Sequence, residues 1–322
     1  MKKFNKIFLS LFLFLAMAKF SSATTPTVNV QDSISTDTHW TCDKQYLLFG
    51  YVYVTSGATL TIDPGVIVKG DKNSKGSLIV ERGSKLIAVG TPTEPIVFTS
   101  NQPVGQRSYG DWGGVILCGK APNNWNGGTA QVEGGPRSLY GGNDPHDNSG
   151  HLSYVRIEFP GIAFSPNNEI NGLTFCSVGS TTTIDNVQVS YSGDDSYEWF
   201  GGSVNCKHLI AFKGTDDDFD TDFGYHGAVQ FGIGFRDSSY FDLSWNVAGG
   251  STSECFESDN DAAGSGKLPF TTAVYSNMTC VGPVPAGMKW TDLSSSAKGA
   301  FRRGARIRRN SRQNIVNSIF MG

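Results

Sequence analysis

Gly57-Ala-Thr-Leu-Thr-Ile-Asp-Pro-Gly-Val-Ile-Val-Lys-Gly70 reads as two short β-branched strands broken by Pro64-Gly65, a dipeptide whose backbone preferences make a turn. Ser77-Leu-Ile-Val-Glu-Arg-Gly-Ser-Lys-Leu-Ile-Ala-Val-Gly90 repeats the form, with Gly83 in an equivalent turn 18 residues after Gly65. Upstream, Tyr46 to Val54 alternates apolar with other residues, and the first structured piece is expected near Trp40, after a polar lead over 24–39. Downstream, Pro95–Thr99 and Trp112–Leu117 supply further strands. The pattern lapses into Asn, Gly, Asp and Pro over 121–150, a length of loop that often carries function.

Coils then resume. His151–Gly161, Ile184–Gly193 and Lys207–Gly214 align on their apolar positions and closing glycine. Short strands continue through Val229–Phe231, Ala273–Asn277 and Ile315–Phe320, and no long 3.6-residue period with caps interrupts them. Short strands returning by corners rather than helices predict an all-β chain, a parallel β-helix over 40–322 in which each coil offers its edge to the next. A β-sandwich is the rival, disfavoured because Asn-Gly hairpin signals between alternating strands are rare. The sequence stops at Met321-Gly322 directly after an apolar strand, so a truncated solenoid with further coils beyond is expected.

Lys2, Lys3 and Lys6 precede the apolar run Ile7 to Ala18, and Ser21-Ser22-Ala23 offers small residues for cleavage. Residues 1–23 therefore read as a signal peptide, and no later stretch is apolar enough for a membrane span. A secreted or outer-surface location follows. The six cysteines, Cys42, Cys118, Cys176, Cys206, Cys255 and Cys280, include no CxxC pair, which argues against zinc. Stacked buried thiols and one or two disulfides both remain open.

The net charge of −3 gives no case for nucleic acid, but the charge is unevenly placed. From Asp194 to Asp261 there are fourteen Asp and Glu against three Lys and Arg. From Lys298 to Arg312 there are seven basic residues and no acid, a solvated face or a partner for nearby acids. Asp195, Asp217, Asp237 and Asp259 follow one another at intervals of 22, 20 and 22 residues. Such a period predicts a column of carboxylates, stacked at about 4.8 Å per layer. It needs cations, arginines, backbone donors or raised pKa values to exist.

At Gly110-Asp-Trp-Gly-Gly114, Val155–Phe159, Asn168–Thr174, Val187–Tyr191, Asp194-Asp-Ser-Tyr-Glu-Trp-Phe-Gly-Gly202, Asp217–Asp222 and Glu257–Asn260 the chain resembles a large family of secreted bacterial proteins. These are exported in many cases by the type IX secretion system and share the pectin-lyase-like right-handed parallel β-helix. The resemblance runs from Trp40 to the end and is most specific at 194–202. It implies fold and location, with no settled activity, and no C-terminal sorting domain is visible to identify the export route.

Three site readings compete. Calcium, which takes six to eight oxygens, would be held by Asp194, Asp195, Glu198, Asp216, Asp218, Asp220 and Asp222, with Asp217 among them. The alternative is that these acids close turns and meet arginines or solvent. A glycoside hydrolase would set Asp194 or Asp195 against Asp216 or Asp217 as acid and base, about 6.5–9.5 Å apart; a polysaccharide lyase would add a basic group such as Arg236. Gly224-Tyr-His-Gly227 and Arg306-Ile-Arg308 are near misses to hydrolase signatures. Binding of an extracellular polysaccharide or surface component without turnover would use Tyr197, Trp199, Tyr225, Glu257 and Asp259, since ring faces and carboxylates hold sugars; packing is the competing role for those rings. Polysaccharide binding with calcium support is the expected function, and lyase or hydrolase activity the alternative.

Overall fold

The computed structural model describes residues 25–165, 168–248 and 250–322; the expected signal peptide lies outside them. The chain winds as a right-handed parallel β-helix, with a 23-stranded sheet that wraps around a single apolar core. The strand pairings of that sheet run parallel from Thr27–Ile34 against Gln45–Val54 to Thr279–Val281 against Ile319–Met321. Antiparallel pairing is confined, among the described residues, to two small hairpins, which rules out a sandwich. One short helix, Ser295–Ala300, interrupts the strands, and its Ala297 N–H donates to the Ser294 hydroxyl at 3.1 Å.

Each coil has three faces. The first is built from Ser77–Val80, Val115–Cys118, Leu173–Cys176, Tyr197–Phe200, Phe219–Asp222, Phe256–Ser258 and Ala305–Ile307. The second and third share the long strands Gly150–Glu158, Thr183–Ser190 and Asn205–Phe212. Those strands bend midway at Tyr154, Asn186 and His208, each left-handed at φ 50–51°. Phe231 and Asn277 keep the bend in the following coils. A left-handed non-glycine residue costs on the order of 1 kcal/mol, which register pairing on both sides of the bend offsets: Val155 lies opposite Val187, and Val187 opposite Leu209.

Strand parity then sorts the side chains, because neighbours along a strand point to opposite faces. On the first sheet Tyr197, Trp199 and Phe219 point inward, and Phe175–Trp199, Tyr197–Phe219 and Phe219–Phe256 stack at 5.2–5.6 Å. The outward positions are covered too. The hairpin Ala130–Gln131 with Leu139–Tyr140, and a second of Ile162–Ser165 with Asn168–Ile170, lie beside that face. Ala130, Val132, Tyr140 and Ile170 pack there onto Ile79, Ile116, Cys118, Cys176 and Phe200.

Two expectations need correction, and the open question of the cysteines is resolved. The segment 24–39 is not a mere lead, since Thr27–Ile34 forms the first rung and Thr38–Trp40 the next strand. That first rung leaves most of its side chains exposed and packs only Val30 and Ile34 against the core, so its apolar pattern is weak. The stretch 121–150 is a built lid with buried Asn123, Asn124, Val132 and Tyr140 rather than an open loop. Of the cysteines, Cys255 and Cys280 form a disulfide, Cys118, Cys176 and Cys206 are buried thiols, and Cys42 is exposed.

Candidate functional site

The outward columns of the first sheet change character along the helix. One reads Ile79, Ile116, Thr174, Glu198, Asp220, Glu257, Arg306, each directly opposite the next. The neighbouring column reads Cys118, Cys176, Phe200, Asp222. At the corner before these strands the Asp217 N–H donates to Asp195 Oδ1 at 2.7 Å, and the Glu254 N–H to Asp217 Oδ1 at 2.5 Å. Stacking thus occurs, and main-chain donors from the next coil supply part of what it requires. At the far end of the strand the Gly201-Gly202 corner packs closely on its neighbours: a Cβ on Gly201 would meet Asn123 Cβ at 2.5 Å, and one on Gly202 the Val178 carbonyl at 2.5 Å.

Arginines close the C-terminal end. Arg303 pairs with Glu254 at 2.7 Å, Arg306 with Glu257 at 2.9 Å, Arg308 with Glu257 and with Asp259 at 2.9 Å, and Arg309 with Asp259 at 2.7 Å. The basic run 298–312 is therefore a partner for acids one coil earlier. No such partner reaches the middle of the lattice: among the described residues no ion pair involves Asp194, Asp195, Glu198, Asp216, Asp217 or Asp220. Asp216 accepts only a neutral hydrogen bond from Ser251 at 2.9 Å, and Glu198 one from Asn171. Asp220 Oδ1 is enclosed with no hydrogen-bond partner.

The covering segments add negative charge instead of relieving it. Glu133 from the first hairpin, Glu169 from the second and Asp242 from the 238–252 insertion all bear on Asp194. Burial, and then neighbouring carboxylates of the lattice and its covering loops, push Asp194, Asp195, Glu198, Asp216, Asp217 and Asp220 well above the usual carboxylate range. Burial with Glu169 and Asp222 nearby raises Glu133 to about 8, and burial raises Asp222 to about 7. Glu257 is raised by burial against the opposing pull of Arg308 and Arg306.

Oxygens of three overlapping sets, Asp194/Asp195/Asp216, Asp195/Glu198/Asp220 and Asp217/Asp220/Glu257, lie within 4.8 Å of one another. Asp195 and Asp220 are each shared by two sets, so the three are linked in a chain. Oxygen-only donors without histidine or thiolate suit a hard cation. Close enclosure favours calcium over magnesium, which keeps several waters.

The other expected site residues land elsewhere. Asp218 points inward and pairs with Arg236 at 3.1 Å, and Asp222 lies at the strand end beside Asp259 and Asp261. Arg236 also donates to the carbonyls of Asp216 and Glu254. Its whole fork is engaged in bracing the corner, which corrects its reading as a base. Asp237 leaves the acid column and pairs with Lys213 at 2.8 Å. The reason is the 238–252 insertion, which lengthens that coil and puts Glu254, unnoticed in the sequence, in the place expected of Asp237. Tyr197, Trp199 and Tyr225 have no exposed surface. Tyr197 donates to the Val187 carbonyl and Tyr225 to that of Val204, both at 2.8 Å, and Trp199 stacks on Phe175 and Tyr225. These rings are core, which corrects their reading as sugar platforms. Glu257 and Asp259 face outward but are taken up by arginines. Asp194, Asp195, Asp216 and Asp217 expose 7% or less. That is room for an ion or water and not for a sugar ring, so the hydrolase pairing of these acids is corrected as well.

A family model described as pectate-lyase like beta helix domain matches residues 32–318. Comparisons with curated proteins and with solved structures give no match.

Proposed function

Because the chain belongs to the pectate-lyase-like β-helix family, we propose that it is an extracellular polysaccharide-binding protein whose carboxylate lattice holds calcium ions. Family membership supports the polysaccharide half of this reading. One observation carries the calcium half: six clustered carboxylates form no ion pair among the described residues, while the loops over them bring further acids. Asp195 and Asp220 would bridge neighbouring ions, with Asp194, Asp216, Glu198 and Asp217 completing the sets beside Glu257, whose charge Arg306 and Arg308 already share. Bound calcium would neutralise the lattice and tie together the coils at 197–200, 219–222 and 256–258, together with their lids. The rest of the surface is then free to hold a glycan. No helix among the described residues is long and apolar enough to cross a membrane.

The test is calorimetric melting in EDTA and in calcium. A ligand at about 100 times its Kd adds about 2.7 kcal/mol per site, so saturating calcium is expected to raise Tm by at least about 5 °C. An unchanged Tm, with no calcium retained on equilibrium dialysis, removes the cation reading. Failure of the calcium-loaded protein to bind any member of a polysaccharide panel removes the other half.

A further inference from the structure

Away from the acids, at the bend between the second and third faces, runs a trough of about 660 Å³ whose lining includes Thr91, Pro92 and Pro95 of the turn before Ile96–Ser100. One side follows the left-handed column Tyr154, Asn186, His208, Phe231, Asn277, one residue per coil. The other follows Arg156, Gln188, Ile210, Ile233, Thr279, each opposite the next across the rungs. Features on both sides therefore recur at the strand spacing of about 4.8 Å along one line. A ligand that matches them is a linear polymer with about one repeat per coil.

Charge and edge chemistry narrow the polymer. No Asp or Glu lines the trough. Its arginine is already paired, Arg156 with Glu158, and His208 Nδ1 lies in hydrogen-bond contact with Asp185 at 2.6 Å. No free cation is left to hold a phosphate backbone or a polyanion. The strands on both sides have their main-chain groups committed to neighbouring coils, so an extended peptide cannot join as an added strand. What the trough offers is amides, the hydroxyl-bearing Thr91, Tyr154 and Thr279, and ring faces. Phe231 is 44% exposed and stacks on the His208 ring at 5.2 Å. Sugar C–H faces suit the rings, and hydroxyls suit the amides of Asn186, Gln188 and Asn277.

We propose that this trough binds a linear, uncharged polysaccharide, one sugar residue to each coil; the inference rests on the polysaccharide-binding reading above and gives it a site and a substrate class. The test is titration calorimetry of the calcium-loaded protein with cellohexaose, mannohexaose, xylohexaose and, as the charged comparison, hexagalacturonate. Phe231→Gly and Asn186→Gly remove the recognition groups at left-handed positions where glycine is unstrained, and Gln188→Ala removes an amide without touching the bend. Circular dichroism and Tm establish that each variant is folded. At least one uncharged hexasaccharide is expected to bind, and each variant to weaken it at least tenfold. Binding that is unchanged in Phe231→Gly and Gln188→Ala overturns the trough assignment, and tighter binding of hexagalacturonate that these variants abolish overturns the uncharged class; either outcome leaves polysaccharide binding intact. Absence of binding to any of these sugars and to a wider panel overturns both.

Discussion

The same outward column of the first sheet is apolar in its upper coils and acidic in its lower ones, with one backbone geometry throughout. At Ile79, Ile116 and Cys118 the lid closes by hydrophobic burial and the contact is complete within the protein. At Glu198, Asp220 and Asp217 a similar enclosure brings carboxylates together with no positive charge, and completion has to come from solution. In the upper half this column stabilises the chain by burial. The lower half makes stability conditional on protons or cations.

The largest effect is expected from importing the lower chemistry into the upper half. Ile116→Asp buries a charge with no partner and no neighbouring acids to share a cation; it should cost at least about 4 kcal/mol, or prevent folding. Urea denaturation in calcium would measure it, and a loss below about 1 kcal/mol would erase the distinction between the halves. A smaller effect concerns pH. Acids whose pKa is raised on folding keep protons that the unfolded chain releases, so the folded state loses stability as pH rises. For the calcium-free protein the decline should begin near the ordinary carboxylate range of about 4 and end above the raised values, which are about 7 for Asp222 and about 8 for Glu133. The slope is about 1.4 kcal/mol per pH unit for each proton retained. Asp195→Asn combined with Asp220→Asn should flatten it, raise the calcium-free Tm and reduce the calcium-induced rise. Melting curves between pH 5 and 8 check all three, and stability that climbs with pH in EDTA would contradict the shared-proton lattice. The smallest change is Arg306→Ala, about 1 kcal/mol in chemical denaturation, because Arg308 still reaches Glu257.

Much of this was legible from turns and periods. Pro64-Gly65 and Gly83 announce the coils, and the acids at 194–195 and 216–217 stack as their spacing implies. The period failed at Asp237 because a fixed interval cannot anticipate an insertion, and the 238–252 segment moved the next rung to Glu254. Tyr197 and Trp199 were misread although the signal was present. They flank Glu198 on one strand, so parity forbids all three from facing the same way, and the acid faces out. Thr27–Ile34 left only a weak trace, since Val30 and Ile34 alone of its side chains pack against the core. The arginine run was visible, but which acids it meets depends on coil length. The trough was not legible, because Tyr154, Asn186, His208 and Phe231 share only a backbone conformation.

Since each first-sheet rung hands its neighbour one outward position in strict alignment, the wound chain behaves as a rack of interchangeable slots. An occupant that its covering segment can match alters the local chemistry while the inward side chains and the register stay those of the neighbouring rungs. A lineage built on such a scaffold can drift from a greasy seam to a salt-hungry one, rung by rung, while its outline stays the same.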